Sequence, residues 1–599
     1  MTDLVREAPL GQLIRFISRN KLFRYPEEQP GFVLPLQYAV RRSSEKGTDH
    51  GSSADLSVHE TDGIAKAESF LGPATPLGKE FDDLGMTRTK SKHYSLPYSS
   101  DRVDAEKQLD LERTQTLPII PQVTIDGIIL VDWYTTDDPA NPRKQPDGCT
   151  TPWMHARLAD SSYPSVLDNW SSRKRGFVTF LICAYTWVVY TGSSIYAPSE
   201  GGVMEQFGVS PVLAALPLSL YVLAYGLGPL IFAPLCEIPA IGRNPVYILT
   251  FVLFTALSFP TAVVNDFSGL LALRFFQGFF GSPALANGGA TFSDMYSLLY
   301  VPYQLSCPGK ELALVPLGDR LDGRPMLIAL LLLMPETSTS TILLRRARRL
   351  RQVTGESRLQ SQSEIDQRQL SASGILVSAL IKPIEITLKD PAVMFVNIYT
   401  ALFYGIYYTF FEVFPLIFPS QYGFNLGETG LAFLSCQVGA GLGLAVYFAY
   451  LHWYMIPDNL KNGLRQQEHR LVPAILGSFF ISSGLFIFAW TARASIHWIV
   501  PLIGVVVFVF GTFLVLQSIF VYLPLSYPEY AASLFAGNDL VRSSMACGSV
   551  LFARPLFLNL GIAEGVTLLG GLSIVGIIGT GVIYRYGAQL RARSKFAQK

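Results

Sequence analysis

The chain has 599 residues, of which 49% are hydrophobic, 12% aromatic and only 16% charged. Soluble domains carry about a quarter of charged residues, and the apolar residues here form long uninterrupted runs, which excludes a conventional cytosolic enzyme. The formal net charge is +1. Because neither a basic excess nor an acidic tail is present, nucleic acid is not an expected partner.

The N-terminal region, residues 1–175, contains no run long enough to cross a bilayer. Its stretch from Arg41 to Gln115 is rich in Ser, Thr, Gly, Asp and Lys, so we expect the region to be cytosolic and largely disordered. The apolar residues that share one helical face near its beginning are Leu10, Leu13, Ile14 and Ile17. Such a helix either lies on an anionic membrane surface or is a short cytosolic helix without a lipid role, and both interpretations stay open.

Apolar runs of about 20 residues, the length at which a helix crosses a ~30 Å hydrocarbon core, follow from residue 176 onward. The first block contains four such spans, Gly176–Tyr196, Pro211–Leu235, Pro245–Val263 and Gly269–Ala290. The second block contains six, Ala392–Phe418, Thr429–Trp453, Leu471–Trp490, Trp498–Leu523, Ala531–Phe557 and Val566–Tyr584. The pattern predicts an all-α integral membrane protein.

A hydrophilic linker, residues 335–390, separates a first transmembrane bundle at 176–334 from a second at 391–584, and a basic tail follows at 585–599. The linker carries an arginine cluster between Arg345 and Arg351. Basic residues also precede the first span, lie in the loop at Arg243 and in the loop that contains Lys461, Arg465 and Arg470, and follow the last span, all on one side of the predicted topology. Since Lys and Arg are retained on the cytoplasmic side, we expect the linker and both termini to be cytosolic.

Two blocks of spans joined by a long basic linker resemble the major facilitator superfamily, in which two six-span halves alternate access around a midplane site. The loop LCEIPAIGRNP resembles that superfamily's acidic-x-Gly-Arg signature, and LALRFFQGFFGSPALANGGATFSDMY resembles its fourth-span Arg-x-x-x-Gly motif. The strings DWYTTDDPANP, TGSSIYAP, YGLGPLIFAPL, YAASLFAGNDLVRS and YRYGAQLRARSKFA are similar to fungal drug:proton antiporters, a branch that includes polyamine transporters. The resemblance implies the major facilitator fold, so the spans of the first block are numbered 1–4 and those of the second 7–12.

Two segments depart from this pattern. Residues 144–168 have no spanning or periodic character and look like an insertion. After span 4, where the family has a complete hairpin of spans 5 and 6, the segment 307–334 offers one apolar run, Met326–Met334, about 14 Å of helix. We therefore expect spans 5 and 6 to be disrupted, with an error in the gene model as one explanation for both segments.

Ionisable residues inside spans are costly and are candidates for function. Glu412 lies in span 7 among aromatic residues that include Tyr408. A carboxyl there can exchange a proton or pair with an ammonium group, and aromatic faces nearby can hold a cation. The alternative is a structural acid that is hydrogen-bonded to a neighbouring helix.

Span 11 carries Asn538, Asp539 and Arg542, and the last two lie on one face at i, i+3 spacing. An internal ion pair is the simpler interpretation, and a coupling role is the alternative. For Arg274 in span 4 the resemblance implies a part in proton coupling. For the loop after span 2 it implies gating by Glu237, Gly242 and Arg243, although a positive-inside anchor would explain the arginine alone.

Nothing in the chain matches a GxxxxGK[ST] phosphate loop or an HExxH metal motif, so we predict a secondary carrier with no cofactor and no metal rather than an enzyme. The resemblance implies proton-coupled export of small, cationic organic compounds such as polyamines or drugs. The expected partners are the substrate, protons and the bilayer, with the chain acting as a monomer in the plasma membrane rather than the vacuolar membrane. The alternatives are a receptor or sensor descended from a carrier, and a non-functional product of an aberrant gene model.

Overall fold

The structure is a computed structural model of the chain. It describes residues 2–32, 34, 121, 128–134, 138, 140–142, 170–296, 301–305, 324–367, 372–462, 465–527 and 530–596. The predicted insertion at 144–168 and the stretch from Arg41 to Gln115, where disorder is predicted, lie outside these residues.

The first part of the chain contains one short strand and eleven α-helices among the described residues. They are α1 (Thr2–Glu7), α2 (Pro9–Ile17), β1 (Ile129–Leu130), α3 (Ser172–Ser194), α4 (Glu200–Phe207), α5 (Pro211–Ala214), α6 (Leu216–Glu237), α7 (Asn244–Val263), α8 (Phe267–Gly281), α9 (Pro283–Met295), α10 (Val301–Leu305) and α11 (Arg324–Leu331).

The linker and the second block continue this order. The elements are α12 (Thr339–Thr354), β2 (Leu359–Gln360), α13 (Gln362–Gln367), α14 (Ala372–Lys389), α15 (Pro391–Tyr422), α16 (Leu426–Ala432), α17 (Leu434–Tyr450), α18 (Ile456–Asn462), α19 (Val472–Thr491), α20 (Ile499–Ser526), α21 (Ala531–Leu560) and α22 (Ile562–Arg593).

Eight helical segments within the described ranges are long and apolar enough to cross a membrane, and each coincides with a predicted span. They are spans 1, 2, 3, 7, 8, 9, 10 and 12. The other two predicted spans are helical but more polar. Span 4 is interrupted at Ser282 between α8 and α9, where Pro283 has no N–H to continue the helix. Span 11 is the single helix α21, which carries Asp539, Arg542 and Arg554.

Between span 4 and the linker, the described residues form the short helices α10 and α11, of five and eight residues. At 1.5 Å per residue neither exceeds about 12 Å, whereas a crossing needs about 30 Å. The disruption of spans 5 and 6 stays a prediction, because residues 306–323 lie outside the described part.

Close helix contacts hold the spans together. A Cβ on Gly278 of span 4 would lie 2.2 Å from the carbonyl oxygen of Tyr221 in span 2. A Cβ on Gly226 of span 2 would lie 2.4 Å from Cβ of Ser543 in span 11. Because only glycine leaves room for such approaches, these two positions fix the packing within the first block and between the two blocks.

The described parts of the N-terminal region pack on the linker. β1 pairs in parallel with β2, with Ile129 opposite Leu359. The buried Arg346 of α12 donates two hydrogen bonds to the Asp138 carboxylate, at 2.6 and 3.1 Å. Its guanidinium also lies 4.3 Å from the ring centroid of Tyr134. The N-terminal region is therefore folded where the structure describes it, on either side of the stretch where disorder is predicted.

Both chain ends lie close to this assembly. Glu7 forms a 2.5 Å ion pair with Lys174 at the start of span 1. Near the other terminus, the ring of Phe596 lies 5.8 Å from Nζ of Lys382 in α14. We call this side of the molecule the linker end and the other side the opposite end. The chain returns to the linker end after the first block, as an even number of crossings requires.

The predicted amphipathic segment forms α2. Its residues Leu13, Phe16 and Ile17 are 55, 82 and 72% exposed. The helix itself is confirmed, and a role at a lipid surface stays a prediction.

Candidate functional site

A cavity lies between the two blocks, midway along the spans. The space free of atoms amounts to about 970 Å³, part of which is open to solvent. Its walls are mostly aromatic and apolar with a few polar groups, as is typical of a small-molecule site. The lining residues are Tyr190, Ser193 and Ser194 of span 1, Tyr404, Tyr407, Tyr408 and Phe411 of span 7, Phe433, Cys436, Gln437 and Ala440 of span 8, Val509, Thr512, Leu516, Gln517 and Phe520 of span 10, and Arg542 of span 11.

A tyrosine cluster joins the two blocks beside this cavity. The hydroxyl of Tyr225 in span 2 lies 2.7 Å from that of Tyr404 and 2.9 Å from that of Tyr408, both in span 7. All three are buried. Tyr408 thus lines the cavity, and its contact with a substrate stays a prediction; Tyr225 has a polar role in addition to packing.

The predicted ion pair in span 11 is present. Arg542 donates to the Asp539 carboxylate, and both side chains are buried. The Arg542 guanidinium lies 4.5 Å from the ring centroid of Tyr404, within the range of a cation–π contact. Span 11 therefore presents a charge-balanced pair to the cavity, with a guanidinium that already occupies one aromatic face.

Asn538 lies apart from this pair and holds span 11 against span 7. Its amide donates to the side-chain oxygen of Asn397 at 2.9 Å and to the Thr400 hydroxyl at 2.7 Å. It does not line the cavity. Its position favours a structural contribution.

Glu412 lies near a second acid, Glu200. Its carboxyl interacts electrostatically with that of Glu200 in α4, and the charge of Arg554 from span 11 acts on both acids. Glu200 and Glu412 are 9 and 4% exposed. Glu412 is one helical turn from Tyr408, so this acid pair lies between the cavity and the opposite end.

Arg274 lies at the beginning of span 4 and contacts the end of span 1. It donates to the Gly192 carbonyl oxygen of span 1 at 2.8 Å. Its guanidinium lies 4.7 Å from the ring centroid of Tyr196, and Tyr196 in turn interacts electrostatically with Glu200 and Glu412. The three predicted residues Glu412, Arg274 and Tyr408 therefore lie in one continuous region.

A second charged cluster occupies the linker end. Arg243 forms a 2.8 Å ion pair with Asp294 of α9, and its backbone N–H donates to Glu336 at 3.3 Å. The same Glu336 oxygen accepts from the backbone N–H groups of Thr337 and Ser338. We call Arg243, Asp294 and Glu336 the linker-end cluster, which fastens the loop after span 2 to span 4 and to the start of the linker.

Gly242 and Glu237 occupy different positions relative to this cluster. Gly242 has φ +79°, and a Cβ there would lie 2.5 Å from a carboxylate oxygen of Glu336. Glycine is thus required both by conformation and by space. Glu237 ends α6 with an exposed side chain, while the ion pair of Arg243 is made by Asp294.

Four residues of the site were not singled out by sequence reasoning, namely Glu200, Arg554, Asp294 and Glu336. Glu200 lies beyond the end of span 1, where a carboxylate in water costs nothing, so its sequence position carries no signal. Asp294 and Glu336 lie near span ends, so their sequence positions carry no signal either. The sequence position of Arg554 does carry a signal, because this residue is a charge inside an otherwise apolar part of span 11.

Two helical bundles around an aromatic cavity, with charged clusters towards both ends, define an integral multi-pass membrane protein with a cavity between its halves. The family model of the Major Facilitator Superfamily matches residues 182–300. The chain is 36% identical to "MFS-type transporter pyvG" of Aspergillus violaceofuscus over 100% of both chains. It is 38% identical to "Transporter mfs1" of Schizosaccharomyces pombe, over 80% of this chain and 90% of that one.

A third relative is "Fluconazole resistance protein 1" of Saccharomyces cerevisiae, with 35% identity over 84% of this chain and 91% of that one. The chain belongs to the major facilitator superfamily. The predicted family and fold are confirmed, and so is the prediction of a transporter rather than an enzyme. Proteins of this superfamily handle small molecules while embedded in the membrane, and the relatives include fungal multidrug and drug-resistance transporters.

Proposed function

We propose that the chain is a proton-coupled exporter of small organic compounds, cationic drugs and polyamines among them. The observation that carries the proposal is the position of Glu412, a buried carboxyl in span 7 one helical turn from Tyr408, which lines the aromatic cavity. An acid so placed can bind either a proton or a cationic substrate, and such exclusive binding is the requirement for antiport. Relatives named "Multidrug transporter FLR2" and "Cycloheximide resistance protein" support drug-like substrates.

The aromatic lining supports the cationic part of the proposal. Tyr404, Tyr407 and Tyr408 line the cavity. Ring faces attract organic cations, and hydroxyls accept hydrogen bonds from ammonium groups. The Asp539–Arg542 pair contributes no net charge, whereas Glu412 and Glu200 are two acids near the single charge of Arg554, so this acid pair can attract a cation.

We place the linker end in the cytosol, the opposite end outside, and the protein in the plasma membrane as a monomer. The support is the basic character of the linker and of the tail at 585–599, since Lys and Arg are retained on the cytoplasmic side. Export then moves substrate from the linker end, through the cavity, to the end where Glu200 and Glu412 meet.

The test is export of a radiolabelled organic cation from transporter-deficient yeast that expresses the chain, with and without a proton gradient. Glu412→Gln should abolish gradient-dependent export at unchanged membrane abundance, because Gln keeps the shape and the hydrogen bonding but binds no proton. Glu564→Gln is the matched control, since Glu564 is an exposed acid at the same end. Full export by Glu412→Gln would refute the role of this residue, and export that persists without the gradient would refute proton coupling.

We further propose that the chain as given transports less than one with a complete hairpin of spans 5 and 6. The short helices α10 and α11 are the observation that favours this, because neither can replace about 20 apolar residues of a span. A chain with the hairpin restored and without residues 144–168 should transport robustly at equal membrane abundance. Equal transport by both chains would show that ten spans suffice.

A further inference from the structure

Helix α2 exposes its apolar face and buries a charged residue. The apolar face consists of Leu13, Phe16 and Ile17, at i, i+3 and i+4 spacing, and all three side chains are exposed. Arg15 of the same helix is only 5% exposed. A helix on the surface of a globular protein normally buries its apolar face and exposes its charges. The apolar face of α2 therefore has no cover among the described residues.

Polar contacts hold α2 in this orientation. Arg15 donates two hydrogen bonds to the Glu28 carboxylate, at 2.7 and 2.8 Å. It donates a third to the Phe23 carbonyl oxygen at 2.6 Å. The Gln12 amide donates to the Tyr25 hydroxyl at 2.9 Å. Rotation of the helix would break these bonds and leave a carboxylate and a guanidinium without their partners, so the apolar face stays outward.

The exposed face lies beside the point at which span 1 enters the bilayer. Glu7, at the end of α1, pairs with Lys174 at 2.5 Å. The backbone N–H of Leu10 donates to the carbonyl oxygen of Leu332, directly after α11, at 3.1 Å. Phe180 of span 1 is exposed, so it faces lipid in a membrane, and it follows Lys174 by about 9 Å of helix. Helix α2 thus lies at the boundary between the lipid-facing surface of the spans and the solution at the linker end.

Basic residues follow this apolar face. Arg19, Lys21 and Arg24 are exposed, and so is the apolar Leu22 among them. The segment 9–24 contains no acidic residue. An apolar helix face accompanied by Lys and Arg is typical of a helix that lies in the interface of an anionic bilayer. A second copy of the chain fits this surface less well, because it would bring like charges together.

We infer that the apolar face of α2 binds the anionic lipid surface at the linker end, which the proposed topology makes the cytoplasmic leaflet. Phe16 and Ile17 enter the region between the headgroups and the acyl chains, and the basic residues that follow contact the anionic groups of the lipids. The N-terminal region is thereby held against the membrane. This surface lies away from the cavity, so the inference stands or fails independently of the proposed export.

The test is amide hydrogen exchange of the full chain in lipid nanodiscs, measured by mass spectrometry for the peptide that covers α2. The discs contain either phosphatidylcholine alone or phosphatidylcholine with about 30% phosphatidylserine. Because opening of the helix must also release the lipid, exchange of α2 should be about tenfold slower with phosphatidylserine at low salt. The difference should shrink at about 0.5 M salt, which screens the charges. Helix α13 of the linker is the internal control and should exchange at the same rate in both discs.

Phe16→Ser combined with Ile17→Ser should abolish the slowing, and because both side chains are exposed the substitutions leave the fold intact. Val353→Ser is the matched control, since Val353 is an exposed apolar residue of α12, and this variant should behave as the parent does. Equal exchange of parent α2 in both discs, or slowing that persists in the double variant, would overturn the inference. Slowing that depends on the number of chains in each disc would identify a second copy as the occupant and would overturn it as well.

Discussion

Removal of the arginine from the linker-end cluster should destabilise the first block severely. In Arg243→Ala the Asp294 carboxylate loses its buried ion-pair partner, whereas the hydrogen bond from the backbone N–H of residue 243 to Glu336 is kept. The Arg243–Asp294 pair measures 2.8 Å, with the two side chains 9 and 7% exposed, so solvent screens it little. Loss of one member of such a buried pair costs about 3–5 kcal/mol, because an uncompensated charge stays behind. For a bundle of this size that corresponds to a fall in melting temperature of about 6–20 °C.

The assay is thermal unfolding of the detergent-solubilised protein, read by loss of the monodisperse peak. Asp294→Asn and the double variant complete a cycle, and the coupling energy should be about 1–3 kcal/mol because the double variant no longer buries an isolated charge. Arg585→Ala removes an exposed arginine from the same end and should stay within about 0.5 kcal/mol of the parent. If the two single effects simply add, or if Arg243→Ala behaves as Arg585→Ala does, the cluster is not an interacting unit.

Three other predictions concern topology and packing. Epitope tags at Met1, near Gly355 and at Lys599 should all be cytosolic, and an external tag at Lys599 would mean an odd number of spans. Arg346→Ala should expose the N-terminal region to protease added to permeabilised cells. In the parent, the effect of burial on the pKa of Asp138 is outweighed by Arg346, which lowers that pKa, so the contact should hold at neutral pH and weaken only as the pH falls below about 4. Proteolysis of the parent that is constant across pH would contradict this. Gly278→Ala should reduce membrane abundance through overlap with the span 2 backbone, whereas Gly581→Ala in span 12, where nothing lies within 4 Å, should not.

The spans could be predicted from the sequence because each is a local property, about 20 apolar residues bounded by charges. The cost of charge within a membrane likewise pointed to Glu412 and to the Asp539–Arg542 pair. Partners across elements could not be predicted. The proximity of Glu200 to Glu412 depends on how α4 returns over span 7, and the hydrogen bonds of Tyr225 depend on the approach of spans 2 and 7. Neither is encoded in local spacing.

The pairing of Arg346 with Asp138 has a consequence for biosynthesis. The two residues are 208 positions apart, and the whole first block lies between them. Because translation starts at the N-terminus, Asp138 is synthesised first and stays in solution while that block is translated and inserted. The arginine can reach it only if the intervening helices have entered the bilayer in alternating directions, because otherwise lipid separates the two. A misinserted nascent chain leaves Val131 and Trp133 uncovered, and such apolar surface is what cellular quality control recognises.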